Sequence, residues 1–146
     1  MASVGTLLTF LIAVPIFAQS AGQVATIDKN EFLRHVQSWQ LPEYPRKSAS
    51  ERHTGVVAAT VRVDDKGHVG TVSIVSAPDS HMAETVKSFV SQWIFRPFTE
   101  SGIPKAAEST IYIQFRLQPM GPNVNIPGLT DQPEQTPKAP FKHTGK

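Results

Sequence analysis

Histidine and carboxylate side chains are the groups in this chain that could do acid–base or metal chemistry, and none has the spacing that such chemistry needs. No two histidines lie four residues apart beside a carboxylate, which is the arrangement of a helical zinc site. Asp64 and Asp65 are adjacent but precede Gly67, which favours a turn over an acid–base pair. The 146 residues include no cysteine, which excludes disulfides and thiolate metal sites. The isolated histidines are His35, His53, His68, His81 and His143.

Linear signatures of catalysis are also absent from the sequence. It contains neither a Gly-x-Ser-x-Gly elbow nor a glycine loop that would cradle a phosphate. A Ser/His/Asp set can assemble in three dimensions without a linear motif, so a small exported hydrolase stays an alternative, and it predicts a concave polar pocket. Our prediction is a non-enzymatic protein with no catalytic residues, no metal and no cofactor.

The charges are scattered along the chain. Its 14 basic and 12 acidic residues leave a net charge of +2. A nucleic-acid surface needs a clustered basic stripe. We therefore predict no nucleic-acid partner.

The first residues predict export. Residues 4–18 are apolar and uncharged, but they fall short of the roughly 20 residues that cross a bilayer. Ala18 and Ser20 are small residues suited to cleavage before Ala21. No Lys or Arg occurs before Lys29, so the usual positive start is missing. We predict that residues 1–20 are a signal peptide, with a short anchor as the alternative, and that the protein meets a membrane only if this segment is retained.

Residues 21–39 predict a linker followed by a short amphipathic helix. Phe32, Val36 and Trp39 recur at helical spacing, and Asn30 can cap the helix. The prolines of the next segment, Leu41–Pro45, hold it in extended geometry.

A β-hairpin is the strongest element of the central region. The β-branched runs 55–63 and 69–76 flank a polar segment that ends in glycine. With Asp64 to Gly67 as the loop, Val57 would lie opposite Ile74 and Ala59 opposite Val72. The resulting apolar face needs a cover, and the sequence offers a helical stripe formed by Met82, Val86, Phe89, Val90 and Trp93.

A third strand follows at 108–117, where Ile111, Ile113, Phe115 and Leu117 alternate with polar residues. Half of the 12 prolines come after it, so residues 119–146 are predicted to form a flexible proline-rich tail. The fold class is α+β, with a packed helix on a small three-stranded antiparallel sheet. The last strand would have a partner on one side only, and such edges are either protected or used to bind an extended peptide.

Several motifs, taken in order, resemble the C-terminal domain of TonB. They are the entry segment Leu41-Pro42-Glu43-Tyr44-Pro45, the turn Val63-Asp64-x-x-Gly67-x-Val69, the helix end Trp93-x-Phe95-x-Pro97, and Gly102-Ile103-Pro104 before the last strand. The resemblance covers residues 40–118, which we predict to be the globular domain. Well-known members carry a glutamine where this chain has Leu41.

The resemblance implies a periplasmic module, with a role in transmembrane transport, that binds an extended segment of an outer-membrane TonB-dependent transporter by β-strand addition to the last strand. A proline at Ile113 is then expected to abolish binding. A homodimer would compete for the same edge, and a structural envelope protein that self-associates there without a transporter is the alternative function. The implied peptide-binding residues are Leu41, Glu43, Tyr44, Thr110, Ile111, Tyr112, Ile113, Gln114, Phe115, Arg116 and Leu117.

Overall fold

The computed structural model describes residues 23–131. The predicted signal peptide and residues 132–146 lie outside this range. None of the helices between residues 23 and 131 has the length and hydropathy to cross a membrane. In chain order the elements are β1 (Ala25–Thr26), α1 (Lys29–Arg34), β2 (Val36–Ser38), α2 (Arg46–Ser50), β3 (Gly55–Val63), β4 (Val69–Ser76), α3 (Ser80–Val90), β5 (Ile94–Phe95), β6 (Phe98–Glu100), β7 (Ile103–Lys105), β8 (Ala107–Gln118) and β9 (Gly121–Asn125).

The main sheet has five strands rather than the predicted three. The predicted strands are present and antiparallel, in the order β8-β3-β4. The outer side of β8 is extended by two short strands, since β1 pairs with its start in parallel and β9 pairs with its end antiparallel. The α+β class is confirmed, and the count of three strands is wrong. Two small two-stranded sheets, β2-β5 and β6-β7, complete the fold.

The hairpin of β3 and β4 forms as predicted, but its register is shifted by two residues. Val61, rather than Ala59, lies opposite Val72. The loop has five residues because the Asp64 carboxylate accepts hydrogen bonds from the backbone N–H groups of Lys66 and His68, both at 2.9 Å. An irregularity at Gly70 adds the second residue of the shift. From Thr71 to Ile74 the shift is even, so these side chains stay on their predicted face.

Helix α3 covers the apolar face of the hairpin. Met82, Val86 and Val90 are fully buried, and the helix packs against both β3 and β4. Phe89, the remaining helical residue of the predicted stripe, is only half-buried. Asp79 caps the helix because its carboxylate accepts the Met82 N–H at 2.8 Å.

Helix α1 closes the same core beside β8. Its cap is Asp28 rather than the predicted Asn30, since the Asp28 carboxylate accepts the Asn30 N–H at 2.9 Å. The Phe32 ring packs on Phe95 and Phe98, with ring centroids 4.8 and 5.3 Å apart. The core therefore depends on residues before the region of resemblance.

The chain stays ordered beyond Leu117, so the prediction of a flexible tail is wrong for residues 119–131. β9 pairs with β8 from Gly121 to Asn125, and Ile126 and Leu129 are then fully buried in the core. Pro122 fits this strand because its missing N–H lies on the side away from β8.

Candidate functional site

The candidate site is the outer edge of β8, together with the entry segment that the resemblance singled out. β8 pairs with β3 on its inner side from Ala107 to Phe115. Ile111, Ile113 and Phe115 point into the core and are fully buried, while Tyr112 and Leu117 are exposed. The predicted alternation of side chains is correct from Ile111 to Phe115 and wrong for Leu117, which lies beyond the last residue that pairs with β3 and is exposed.

The backbone N–H and C=O groups of β8 also alternate in direction. Two hydrogen bonds show which residues direct these groups outwards, that is, away from β3. On the side away from β3, the N–H groups of Ala25 and Ile27 donate to the carbonyl oxygens of Ala106 (3.0 Å) and Glu108 (2.9 Å). Because both backbone groups of a strand residue point to one side, every second residue after Glu108 faces outwards. The outward residues of the predicted edge are Thr110, Tyr112, Gln114 and Arg116.

That outward side is occupied by other parts of the chain, so the prediction of a strand with one partner is wrong. β1 pairs with Ala107 and Glu108, and β9 pairs with residues 114–118. Between them α1 packs against β8, and the Lys29 ammonium lies 5.9 Å from the centroid of the Tyr112 ring. An added strand that spans the predicted edge, residues 110–117, must therefore displace β9, which already pairs with residues 114–118.

The entry segment meets the C-terminal half of β8 through Tyr44. Its ring packs edge-to-face on Phe115, with centroids 5.3 Å apart, and its hydroxyl donates to the backbone carbonyl of His53. Burial, assisted by the charge of Asp79, raises the pKa of the Tyr44 hydroxyl. Leu41 packs partly buried against the core, whereas Glu43 is exposed.

A polar pair beside Tyr44 ties α3 to the segment before β3. The His53 Nδ1 atom lies 2.9 Å from an Asp79 carboxylate oxygen. Partial burial acts to raise the pKa of Asp79, but the hydrogen bonds from Met82 N–H and His53 outweigh it and lower that pKa below its usual value. Ser48, which also neighbours this carboxyl, is fully buried, so its hydroxyl cannot reach a substrate. These three residues do not form a usable catalytic triad.

A groove of about 430 Å³ lies where β3 begins and β8 ends. Exposed apolar side chains, Val56 and Leu117, stand at its wall. Sequence reasoning missed Val56 as a site residue, although its outward position in the β3 alternation was a usable signal. The lining residues are Thr54, Gly55, Val56, Gln114, Phe115, Arg116, Leu117 and Gln118.

The structure thus brings together only part of the predicted site. Tyr44 joins Phe115, and the groove adds Gln114, Arg116 and Leu117. Thr110–Ile113 lie further along β8, beside α1. Between residues 23 and 131, no three acidic or histidine side chains are close enough to hold a metal ion. Geometry of this kind, a strand edge beside an apolar groove, is that of an α+β protein-interaction module.

The family can be stated more closely. The model of the Gram-negative bacterial TonB protein C-terminal family matches residues 40–117, which is more than half of the chain. The chain belongs to this family, and the resemblance noted in its motifs is confirmed. Proteins of the family work in the cell envelope, where they interact with outer-membrane transporters. A comparison with curated proteins gives no match.

Proposed function

We propose that this protein is a non-enzymatic periplasmic module that binds an extended N-terminal segment of an outer-membrane TonB-dependent transporter as a strand added to β8. The observation that carries the proposal is the pairing of β9 with residues 114–118. This half of the edge already accepts an antiparallel strand, so a peptide can make the same backbone bonds.

Of the segments that cover β8, β9 is the one we expect the peptide to replace. Pro122 and Asn123 are exposed, and the other three residues of β9 are only half-buried. In α1, by contrast, Phe32 and Leu33 are fully buried. Strands with few buried contacts open at lower free energy than the core. Exchange of β9 for a peptide keeps the number of backbone hydrogen bonds nearly constant, so its net cost is small.

The proposed contacts differ by residue. Gln114 and Arg116 supply outward backbone groups to the peptide, and Val56 and Leu117 supply apolar surface for its side chains. The exposed Glu43 is free to pair with a basic residue of the peptide. Tyr44 acts by holding Phe115, since its own ring and hydroxyl are already engaged.

The other predicted residues have a smaller part in this proposal. Leu41 stabilises the core beneath the entry segment. Thr110–Ile113 would pair with the peptide only if α1 also moved. Energy coupling to an inner-membrane motor belongs to the proposal only if residues 1–20 are retained as an anchor.

The test is a calorimetric titration of the full chain with synthetic peptides from transporter N-termini. Arg116→Pro is a sharper variant than a proline at Ile113, because the Ile113 N–H faces β3 and its loss would damage the sheet. The Arg116 N–H faces outwards, and this residue lies beyond the last β3 pair, Gly55–Phe115. Arg116→Ala is the matched control, since it removes the same side chain and keeps the N–H.

We expect saturable binding by the wild-type chain and by Arg116→Ala, and loss of binding by Arg116→Pro with an unchanged circular dichroism spectrum. Unchanged binding by a folded Arg116→Pro, or no binding of any transporter peptide to the wild-type chain, would overturn the proposal.

A further inference from the structure

The opposite edge of the main sheet is uncovered. β4 ends the strand order, and within residues 23–131 no strand pairs with its outer side. The strand contains neither a charged residue nor a proline, which are two of the usual protections of an exposed edge. An edge without these two protections can pair with another strand wherever its backbone is regular.

The backbone of β4 offers a short regular stretch for such pairing. Ser73 pairs with Thr60, and Thr71 pairs with Arg62. The backbone carbonyl of Glu108 in β8 points away from β3, and this fixes the direction of the backbone groups in β3 and β4 through their pairing. The backbone groups of Thr71 and Ser73 therefore point towards β3, and those of Val72 and Ile74 point outwards. Register irregularities at Gly70 and Val75 bound this stretch on both sides.

A groove of about 690 Å³ runs beside this edge, between β4 and α3. The helix and its C-cap contribute two charged side chains of opposite sign, Glu84 and Lys87, and two small ones, Ser88 and the cap residue Ser91. Small residues permit the close approach of another helix.

We propose that a second copy of this chain docks on this edge, with the two β4 strands antiparallel about a twofold axis at Ser73. This register places Val72 opposite Ile74 of the partner subunit, and Ile74 opposite Val72 of the partner subunit. Both residues whose backbone groups point outwards in the regular stretch are then paired. Each such pair exchanges both of its backbone hydrogen bonds. In any neighbouring register, pairing both Val72 and Ile74 would also involve one of the irregular positions, Gly70 or Val75.

The position of α3 fits the same arrangement. Because α3 packs against both β3 and β4, we expect its axis to lie between these two strands, about half a strand spacing inside β4. The twofold then places the two helix axes about two strand spacings, or ~10 Å, apart. Packed helices lie about 8–10 Å apart.

The charges in the groove are self-complementary. A twofold axis brings Glu84 towards Lys87 of the partner subunit, and the same contact repeats on the other side. This reciprocity favours a second copy over an unrelated peptide as the occupant. Both β8 edges remain at the outer ends of the joined sheet, so the dimer is independent of the peptide site proposed above.

Disulfide trapping tests the register directly, because the natural chain has no cysteine. In the Ser73→Cys variant the two introduced cysteines, one from each subunit, would lie opposite each other as a non-hydrogen-bonded pair. Their Cα atoms would be about 4.5 Å apart, which suits a disulfide. Thr71→Cys is the matched control on the same face, and its two copies would be ~13 Å apart. We expect mild oxidation of the full chain to give a covalent dimer with Ser73→Cys and monomer with Thr71→Cys. No trapping at Ser73, or equal trapping at both positions, would overturn the proposal.

Charge reversal tests the helix contact by sedimentation equilibrium. Glu84→Lys and Lys87→Glu should each weaken the dimer about tenfold, and the double variant should restore it. Asp65→Lys, on the exposed hairpin loop, makes the same charge change as Glu84→Lys away from the groove and should have no effect. Monomer at every concentration of the wild-type chain, or equal weakening by Asp65→Lys, would contradict the proposed interface.

Discussion

The ring of Tyr44 packs edge-to-face on Phe115, with centroids 5.3 Å apart, and its hydroxyl donates to the carbonyl of His53. Phe115 is the last residue of β8 that pairs with β3. The tyrosine of the entry segment therefore holds β8 at the residue between Gln114 and Arg116, which we propose supply backbone groups to the peptide. Its contribution to that site is positional.

Substitutions of Tyr44 separate its ring from its hydroxyl. Tyr44→Phe keeps the ring contact and should cost about 1 kcal/mol of unfolding free energy for the lost hydrogen bond. Tyr44→Ala also removes the half-buried ring and should cost ~2–3 kcal/mol. Urea denaturation measures both. Equal losses for the two variants would show that the ring contact contributes nothing.

The acid stability of the protein should depend on Asp79. Its pKa in the folded state is lowered from the usual 3.8, so its charge stabilises the fold above that pH, and the contribution is lost as the pH falls through the folded-state pKa. Asp79→Asn keeps the helix cap, since asparagine caps as well as aspartate. In urea titrations at a series of pH values, we expect the variant to be less stable near neutral pH and to approach the wild type in acid. A difference independent of pH would contradict this.

Gly67 should tolerate no side chain. Its φ is +90°, and an added Cβ would lie 2.0 Å from the backbone oxygen of Phe95. Gly102 has a similar φ of +78° with no atom within 4 Å of the same position, so it is a matched control for the backbone cost alone. We expect Gly102→Ala to cost ~1 kcal/mol and Gly67→Ala ~3 kcal/mol or more, as measured by thermal unfolding. Equal costs would mean that the approach of Phe95 is unimportant.

Weakening β9 should strengthen peptide binding if β9 and the peptide compete. Asn123 pairs with Arg116 and its N–H faces β8, so Asn123→Pro removes a bond of about 1 kcal/mol from the competitor. Calorimetry should then show about fivefold tighter binding of the transporter peptide. Pro122→Ala changes only the outward side of β9 and should leave the affinity unchanged. Weaker binding by Asn123→Pro would indicate that β9 is part of the binding surface.

Much of the fold was predictable because its elements carry strong local patterns. The alternation of Val57 to Val63 indicated β3, and the stripe through Met82 and Val86 indicated the helix that covers it. The register was not predictable to better than two residues, because it depends on hydrogen bonds that the Asp64 carboxylate makes within the loop and on the irregularity at Gly70. The periodicity of the sequence indicates on which face of the sheet a side chain lies, whereas the loop determines which residue lies opposite it on the next strand.

The cover of β8 could not be predicted from local pattern. β1 has two residues, too few for any periodicity. β9 includes Pro122, which argues against a strand unless its N–H is known to point outwards. Both strands exist because they add to an edge already formed by β3 and β8. The site residues were predicted only through the family resemblance. That resemblance does not indicate that β1 and β9 of this chain pair with the outer edge of β8.

Amide hydrogen exchange of the full chain, with and without a saturating transporter peptide, tests the central claim most directly. We predict that the amides of Gln114 and Arg116 stay protected when the peptide binds, while the β9 amides of Gly121, Asn123 and Asn125 lose protection as the peptide takes their place. Retained protection of those β9 amides at saturation would contradict strand exchange on β8.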